Sequence, residues 1–149
     1  RYMARPTGPV DMEQIASIGI VKMSFLVPSG YAEAVTATTT TGPSGIYVGT
    51  IPAPVEIVLT AASGVSLKVT QGQYSAPRPF IRLLDQEFAC GETVVIDTEK
   101  RMVTVDGADA RADVDIDSDF ENFKLHPGEF IIEAEGGTIM SIVYRARYI

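Results

Sequence analysis

The sequence predicts an all-β protein built as an antiparallel β-sandwich or jelly roll. Short runs rich in Val, Ile, Thr, Tyr and Phe recur along the chain, and clusters of Gly, Pro, Ser and Asp separate them. Little of the chain keeps the apolar period of 3.6 residues that an amphipathic helix requires. About ten short strands with turn signals between them are typical of sandwiches and jelly rolls.

The first half of the chain contains one weak helix signal and six predicted strands. The helix signal, residues 11–15 (DMEQI), is long enough for a single turn. Residues 38–44 (TTTTGPS) predict a polar loop or the end of a strand. The predicted strands are residues 18–27, 32–39, 46–49, 55–60, 65–70 and 80–84.

The second half predicts two hairpins. Residues 92–97 and 102–105 flank a turn, and Asp106-Gly107 closes the second of these strands with a dipeptide that favours tight turns. Residues 130–134 and 139–148 flank the glycine-containing segment EGGT and predict the second hairpin. In its last strand Tyr and Ala alternate with Arg145 and Arg147, which predicts one packed face and one charged face.

We expect two parts in the chain. Residues 1–30 are interpreted as a linker and the terminal strand of an upstream domain, and residues 31–149 as the β-sandwich domain. The opening RPTGP has the composition of a linker, and Pro28-Ser29-Gly30 is the sharpest break in the sequence. Because residue 1 is Arg and not Met, we expect the chain to be a fragment of a longer protein.

Composition and charge argue against several classes of partner. Hydrophobic residues make up 46% of the chain and charged residues 21%, which is ordinary for a globular protein. The net charge of -7 argues against nucleic acid and anionic membranes as partners, because both require clustered Lys and Arg. No apolar run approaches the length of a membrane span. The single cysteine, Cys90, excludes an intrachain disulfide and is expected to be a small buried residue.

An acidic run, residues 113–119 (DVDIDSD), is the strongest candidate for a metal site, because alternating carboxylates can bind Ca²⁺. An EF-hand loop beginning at Asp113 would need Gly at its sixth position and Glu at its twelfth, where this chain has Ser118 and Lys124. Val114 and Ile116 alternate with the acids, as in an edge segment with one wet face. We interpret the run as solvated acids, with calcium as the alternative. The four acids are Asp113, Asp115, Asp117 and Asp119.

No residue pattern predicts catalysis. The only histidine, His126, precedes Pro127-Gly128 and is interpreted as a turn residue, because a zinc site rich in histidine would need a second one. No serine lies in a G-x-S-x-G motif, and Gly42 and Gly136-Gly137 lack the helix and lysine of a phosphate cradle. We therefore assign no catalytic, cofactor-binding or metal residue. The serines in predicted loops are Ser29, Ser44, Ser63 and Ser75.

Tyrosines in predicted loops are the candidates for sugar binding, since aromatic rings stack on pyranoses. Trp is absent from the chain, and Tyr also lies readily at the rim of a sheet with its hydroxyl in water. We favour a structural role for these rings. They are Tyr31, Tyr47 and Tyr74.

The C-terminal half carries a sequence pattern known from one family. Its segments are residues 92–97 (ETVVID), 101–107 (RMVTVDG), Phe120 with 123–128 (FKLHPG), 130–132 (FII), and 142–145 (IVYR) up to Tyr148-Ile149. This pattern resembles the C-terminal domain of distal tail proteins from siphophages, the phages with long, non-contractile tails. Residues 21–29 resemble the last strand of that family's ring-forming N-terminal domain, and residues 54–60 (PVEIVLT) resemble an early strand of the second domain. The chain departs from the family pattern at residues 126–129 (HPGE), where Pro-Gly-Asn is expected.

The resemblance implies a galectin-like β-sandwich in the tail tip of a virion, acting as a structural, non-enzymatic protein. It also implies a homo-hexameric ring in the full-length parent, and contacts with the tail tube, a tail-associated lysin or a receptor-binding protein. Physically, a Pro127-Gly128 corner would turn the chain between packed strands, with four apolar residues in the core. They are Phe123, Leu125, Phe130 and Ile132.

Two other functions stay open at this point. A carbohydrate-binding module for cell-surface glycan is compatible with the predicted architecture, although that is an analogy at the level of the fold. A hydrolase with paired carboxylates is the weaker alternative, because 19 acids supply such pairs by chance.

Overall fold

A computed structural model describes residues 5–6, 25–26, 30–73 and 77–149, and within them the chain is all-β. The only helix in these residues is one 3₁₀ turn, Arg111–Asp113. The strands are β1 (Arg5–Pro6), β2 (Phe25–Leu26), β3 (Ala32–Glu33), β4 (Thr38–Thr41), β5 (Ser44–Tyr47), β6 (Val55–Ala61), β7 (Gly64–Gln71), β8 (Phe80–Phe88), β9 (Thr93–Asp97), β10 (Met102–Val105), β11 (Ala108–Asp109), β12 (Gly128–Glu135), β13 (Gly137–Tyr144) and β14 (Arg147–Tyr148).

Two antiparallel sheets form the body of the sandwich. One has six strands in the order β11-β10-β9-β6-β13-β4, and the other has four in the order β5-β12-β7-β8. Two short pairs, β1-β2 and β14-β3, complete the pairing among the described strands. The predicted fold class, an antiparallel all-β sandwich, is confirmed.

The core lies between the two sheets because apolar side chains alternate along the strands. In β6 the side chains of Val55, Ile57, Leu59 and Ala61 are buried and those between them are half-buried. Each large side chain removed from water in this way contributes about 1.5–3 kcal/mol. Both sheets supply fully buried residues, among them Leu67, Ile81, Leu83, Ile96, Ile132 and Ile142.

The first predicted hairpin is confirmed. β9 and β10 pair antiparallel, with Asp97 opposite Met102 and Val94 opposite Val105. Asp106 and Gly107 both have positive φ, 47° and 82°, as a type I′ turn requires, and they lead directly into β11.

The second predicted hairpin is wrong. β12 pairs with β5 and β7, whereas β13 pairs with β4 and β6, so the chain crosses from one sheet to the other between them. Gly136 makes this crossing with a φ of 80°, and its carbonyl accepts a hydrogen bond from the Ala62 amide at 2.9 Å. A Cβ on Gly136 would lie 2.4 Å from the Ser66 carbonyl oxygen, so only glycine fits this close approach.

Other segments predicted as single elements each contain parts of two strands, because the chain moves from one sheet to another within them. Residues 32–39 form β3 and only the beginning of β4, and the predicted loop 38–44 contains β4 and the first residue of β5. Residues 139–148 are divided between β13 and β14, because the chain leaves the six-stranded sheet after Tyr144 to pair with β3. The helix signal at 11–15 lies outside the described residues, as does most of the strand predicted at 18–27.

The Pro127-Gly128 corner is confirmed. Gly128 has a φ of 109° and begins β12. Before it, Leu125 exchanges backbone hydrogen bonds with Ala53 at 2.8 and 3.0 Å. All four predicted core residues are buried: Phe123, Leu125, Phe130 and Ile132.

In the part of the chain that the structure describes, no helix has the length and apolar character that a membrane crossing requires.

Candidate functional site at the Arg147 junction

The described chain enters the sandwich beside its C-terminal strand. β3 pairs antiparallel with β14, with Arg147 opposite Glu33 and Tyr148 opposite Ala32. The pairing continues where the Ala34 amide donates to the Ala146 carbonyl at 2.8 Å. The segment that follows Gly30 is therefore held by main-chain hydrogen bonds to the last strand.

Arg147 is the centre of this region, which we call the Arg147 junction and define by Tyr31, Glu33, Glu99 and Arg147. Its guanidinium Nη2 lies 2.6 Å from Glu99 Oε1 and 3.8 Å from Glu33 Oε1. The guanidinium carbon is 4.7 Å from the centre of the Tyr31 ring, a cation–π geometry. The Arg147 side chain is only 13% exposed, so the prediction of a charged outer face on this strand is wrong at this position.

Tyr47 supports the junction from the core. Its hydroxyl donates to the Ile51 carbonyl at 2.7 Å and accepts from the Arg147 amide at 3.0 Å. Its ring packs edge-on against Tyr144 with centroids 5.4 Å apart. Burial raises the pKa of the Tyr47 hydroxyl, so it keeps its proton and can act as donor.

Gly49 makes room for Tyr47. A Cβ at Gly49 would lie 2.2 Å from the Tyr47 hydroxyl and 2.7 Å from the Arg147 carbonyl. The buried Tyr47 also corrects the sequence interpretation, in which this tyrosine was a loop residue and a candidate for stacking on sugar. It belongs to β5 and is 1% exposed.

This arrangement suits the binding of one chain segment to another. In the junction the positively charged guanidinium of Arg147 contacts two carboxylates and one aromatic ring. The two strands that meet there, β3 and β14, are far apart in sequence. It contains no nucleophile beside a base, and the described residues contain no group of three His, Cys, Asp or Glu placed to bind a metal ion. The junction therefore suits an attachment point between chain segments.

The acidic run, residues 113–119, lies along β8, the last strand of the four-stranded sheet, and covers its outer edge. The Asp115 amide donates to the Arg82 carbonyl at 2.8 Å, the Asp119 amide donates to the Phe80 carbonyl at 2.9 Å, and Ser118 Oγ accepts from the Arg82 amide at 3.0 Å. Val114 bridges to Leu83. The edge interpretation is supported, and these contacts give the run a structural role.

Two of the acids are engaged and are not simply solvated. Asp115 forms an ion pair with Arg82 and its side chain is only 8% exposed. A backbone hydrogen bond from Asp117 and the Arg82 guanidinium lower the pKa of the Asp115 carboxyl. Hydrogen bonds from the Asn122 side chain and amide lower the pKa of Asp119.

His126 lies just before the Pro127-Gly128 corner, as the sequence predicts. Two glutamines that were not predicted as functional residues, Gln71 and Gln73, bind the backbone of this segment. Gln71 is fully buried, and its Nε2 donates to the Lys124 carbonyl and to Gln73 Oε1, both at 2.9 Å. Gln73 Nε2 donates to the carbonyls of His126 and Glu129 at 2.9 and 2.8 Å. Burial, followed by the charge of Lys124, lowers the pKa of His126. A buried Gln at the end of an apolar alternation, Leu67-Val69-Gln71, was the available signal for this network.

The other residues singled out in the sequence lie at separate positions in the fold. Cys90 is exposed, which corrects the expectation of a buried thiol, because it lies in the tight turn between β8 and β9. Ser44 is the exposed first residue of β5, and Ser63 is exposed in the turn before β7. Ser29, Ser75 and Tyr74 lie outside the described residues.

Comparison with known proteins gives the family. Residues 48–148 match the family described as the siphovirus-type tail component, C-terminal domain. This match covers more than half of the chain and includes the strands from β6 to β14. The chain belongs to this family. A siphovirus-type tail component is a structural protein of the virion tail, so the expected location in the virion and the expected structural role are confirmed.

A solved structure shares the fold of this siphovirus-type tail component. The crystal structure of the SPP1 Dit protein (gp 19.1), described as a paradigm of the hub adsorption apparatus in phages that infect Gram-positive bacteria, matches with a TM-score of 0.64 at 14% sequence identity. The match covers 85% of this chain and 52% of that chain, so this chain spans about half the length of the SPP1 protein. No curated protein matches the chain.

Proposed function

We propose that this chain is the outer sandwich of a distal tail protein, which joins the tail tube to the host-adhesion apparatus at the tail tip. The observation that carries the proposal is the family match over residues 48–148, which includes most of the sandwich. The family favours this role over a glycan-binding module. The burial of Tyr47 also removes one of the three rings considered for sugar stacking.

The proposal includes the rest of the parent protein. Residues 1–30 would be the linker and the terminal strand of an upstream domain, and that domain would assemble the full-length protein into a homo-hexameric ring. In support, β2 pairs with β1 among the described strands, whereas the pairing of the sandwich begins at β3. The partners of the ring would be the tail tube, and a tail-associated lysin or receptor-binding protein.

The proposed mechanism is mechanical and involves no catalysis. When a virion engages its host, tension between the ring and the outer sandwich would pass through residue 30 into β3. β3 is paired with β14 and clamped by the contacts of Arg147 to Glu99 and Tyr31. Ion pairs and ring contacts arranged around one buried guanidinium resist such a separation better than exposed pairs do.

Immunogold electron microscopy tests the location within the tail. Antibodies raised against residues 31–149 should label virions of the source phage at the distal end of the tail, next to the adhesion apparatus. Labelling along the tube or at the capsid connector would contradict the proposal.

Arg147→Met in the phage tests the mechanical role. The substitution removes both carboxylate contacts and the cation–π contact while keeping an apolar stem in the core. We expect assembled tails that lose the tip under shear, and a titre that falls more than in Arg145→Met. Arg145 is exposed, and its partners among the described residues are the backbone carbonyls of Ala34 and Val35, so it serves as the matched control. Equal titres and equal resistance to shear in the two variants would argue against the junction as the attachment point.

A further inference from the structure

β4 is an open edge of the six-stranded sheet. It pairs with β13 on one side, from Thr38 opposite Tyr144 to Thr41 opposite Ser141. On the other side it is the last strand in the order of that sheet, and no further described strand pairs with it. As far as the described strands go, its outer side therefore presents backbone groups that can accept another strand.

On the opposite side of the sandwich, by contrast, the edge strands are blocked against pairing with another strand. There β8 is covered by residues 113–119, and the short β11 carries Asp109 in an ion pair with Arg111 at 2.6 Å. Covering segments, charges and very short edge strands are the devices by which proteins block unwanted strand pairing. The neighbouring edge strand β5 is partly closed as well, because the Tyr144 hydroxyl donates to its Ile46 carbonyl at 3.0 Å.

β4 lies in a stretch without charge. Residues 34–55 contain no Asp, Glu, Lys or Arg, although charged residues make up 21% of the chain. The net charge of -7 opposes the approach of two copies over most of their surface. This opposition is weakest along the uncharged segment, where the nearby Arg145 guanidinium, bound to the Ala34 and Val35 carbonyls, adds a positive charge to an acidic protein. Val35, 72% exposed, adds an apolar side chain just before the strand.

The sequence of β4 is self-complementary. All four of its residues are threonine, so an antiparallel pair of two β4 strands places Thr opposite Thr in every register within the strand. Cross-strand Thr–Thr pairs are favourable in antiparallel sheets, and β-branched residues suit the pleat. A foreign strand would have to match this edge, whereas a second copy matches it by symmetry.

We infer that β4 is a docking edge for a second copy of this chain, which pairs antiparallel to it and joins two six-stranded sheets into one of twelve strands. This two-fold contact is distinct from a cyclic six-fold ring and goes beyond the function proposed above. Two four-residue strands with their flanks bury less than the ~1,200 Å² of a standard stable interface. The contact is therefore weak between free chains.

Sedimentation velocity of the 149-residue chain tests the inference. Over a series from about 10 µM to about 2 mM, the weight-average mass should rise from monomer towards dimer and no further. Added salt should strengthen the association, because it screens the repulsion between the acidic chains while the interface itself is uncharged. The amides of residues 38–41 that point away from β13 should gain protection from hydrogen exchange at high concentration.

Variants assign the contact to β4. Thr39→Lys puts like charges on both edges and should abolish the dimer, whereas Thr39→Val keeps the β-branched shape and should retain it. Ile116→Lys makes the same change of charge at a side chain that is 96% exposed on the covered side, and should leave the dimer intact. Thermal unfolding followed by circular dichroism checks that each variant is folded.

Three outcomes would overturn the inference. They are a mass that stays monomeric across the series, association that weakens as salt rises, and association that Thr39→Lys leaves unchanged in a folded protein. None of these results bears on the position of the protein in the tail, so a failure here leaves the proposed function to its own tests.

Discussion

At the scale of single residues, a few polar side chains hold together segments that are far apart in sequence. Gln71 and Gln73 bind the carbonyls of the 124–129 segment, and Arg147 binds Glu99 and Glu33 across two strand ends. Thr98 does the same for the start of β6, where its Oγ1 accepts from the Val55 amide at 2.8 Å. Gln71, Thr98 and Arg147 are buried or nearly so, where an unsatisfied partner is costly, whereas Gln73 is half-buried.

Gln71→Ala should destabilise the protein by about 1–3 kcal/mol, because it leaves the Lys124 carbonyl and the Gln73 amide without their buried partner. Equilibrium unfolding in urea measures this change. Gln73→Ala, at a half-buried position, should lower the free energy of unfolding by less. If both variants cost the same, then burial of the Gln71 amide is not the source of the effect.

At the scale of elements, glycine decides where the chain can change sheets. Gly136 links β12 to β13 with its Cα close to the backbone of β7, whereas Gly107 turns β10 into β11 in open space. Their φ angles are nearly equal, 80° and 82°. The two positions therefore differ in crowding and not in backbone conformation.

Gly107→Ala and Gly136→Ala separate these two effects. The first should cost about 1 kcal/mol, the strain of a left-handed alanine less the gain from a stiffer unfolded chain. The second should cost a further ~1–3 kcal/mol, because its new Cβ would meet the Ser66 carbonyl. Urea unfolding of the two variants side by side gives the difference. Equal losses would mean that the sheet crossing relaxes to admit a side chain.

At the scale of the whole molecule, the sandwich is asymmetric. One side is covered by an acidic segment that is tied to β8 by hydrogen bonds and an ion pair, and the other side presents the uncharged edge of β4. On the covered side, carboxylates contribute to the stability of the fold through charged contacts, and these contacts exist only while the carboxylates are ionised. The stability of the fold should therefore depend on pH in the acid range.

Asp115→Asn tests this dependence. Because the folded-state pKa of Asp115 lies below its ordinary value, its contribution is complete above about pH 4 and is lost as the pH falls through the folded pKa. The variant should melt at a lower temperature than the parent at pH 7, and the gap should narrow below about pH 4. Circular dichroism melts between pH 7 and pH 2 measure it.

Asp117→Asn is the matched control for this measurement. Asp117 lies in the same run, and its exposed side chain accepts no hydrogen bond from the described residues. Its melting temperature should follow that of the parent at every pH. A gap for Asp115→Asn that stays constant down to pH 2 would mean that the carboxylate charge is not what stabilises the cover.

Features that depend on neighbours along the chain could be predicted from the order of the amino acids. The strand alternation, the Asp106-Gly107 turn and the Pro127-Gly128 corner with its four core residues all follow from local periodicity and backbone preference. The family pattern of the C-terminal half was readable in the same local segments. Three features became visible only in the folded protein: which sheet each strand joins, the crossing between sheets at Gly136, and the enclosure of Arg147. Those outcomes depend on pairing between residues far apart in sequence, such as Arg82 with Asp115 and Arg147 with Glu99, and a period of two residues is the same whichever sheet a strand enters.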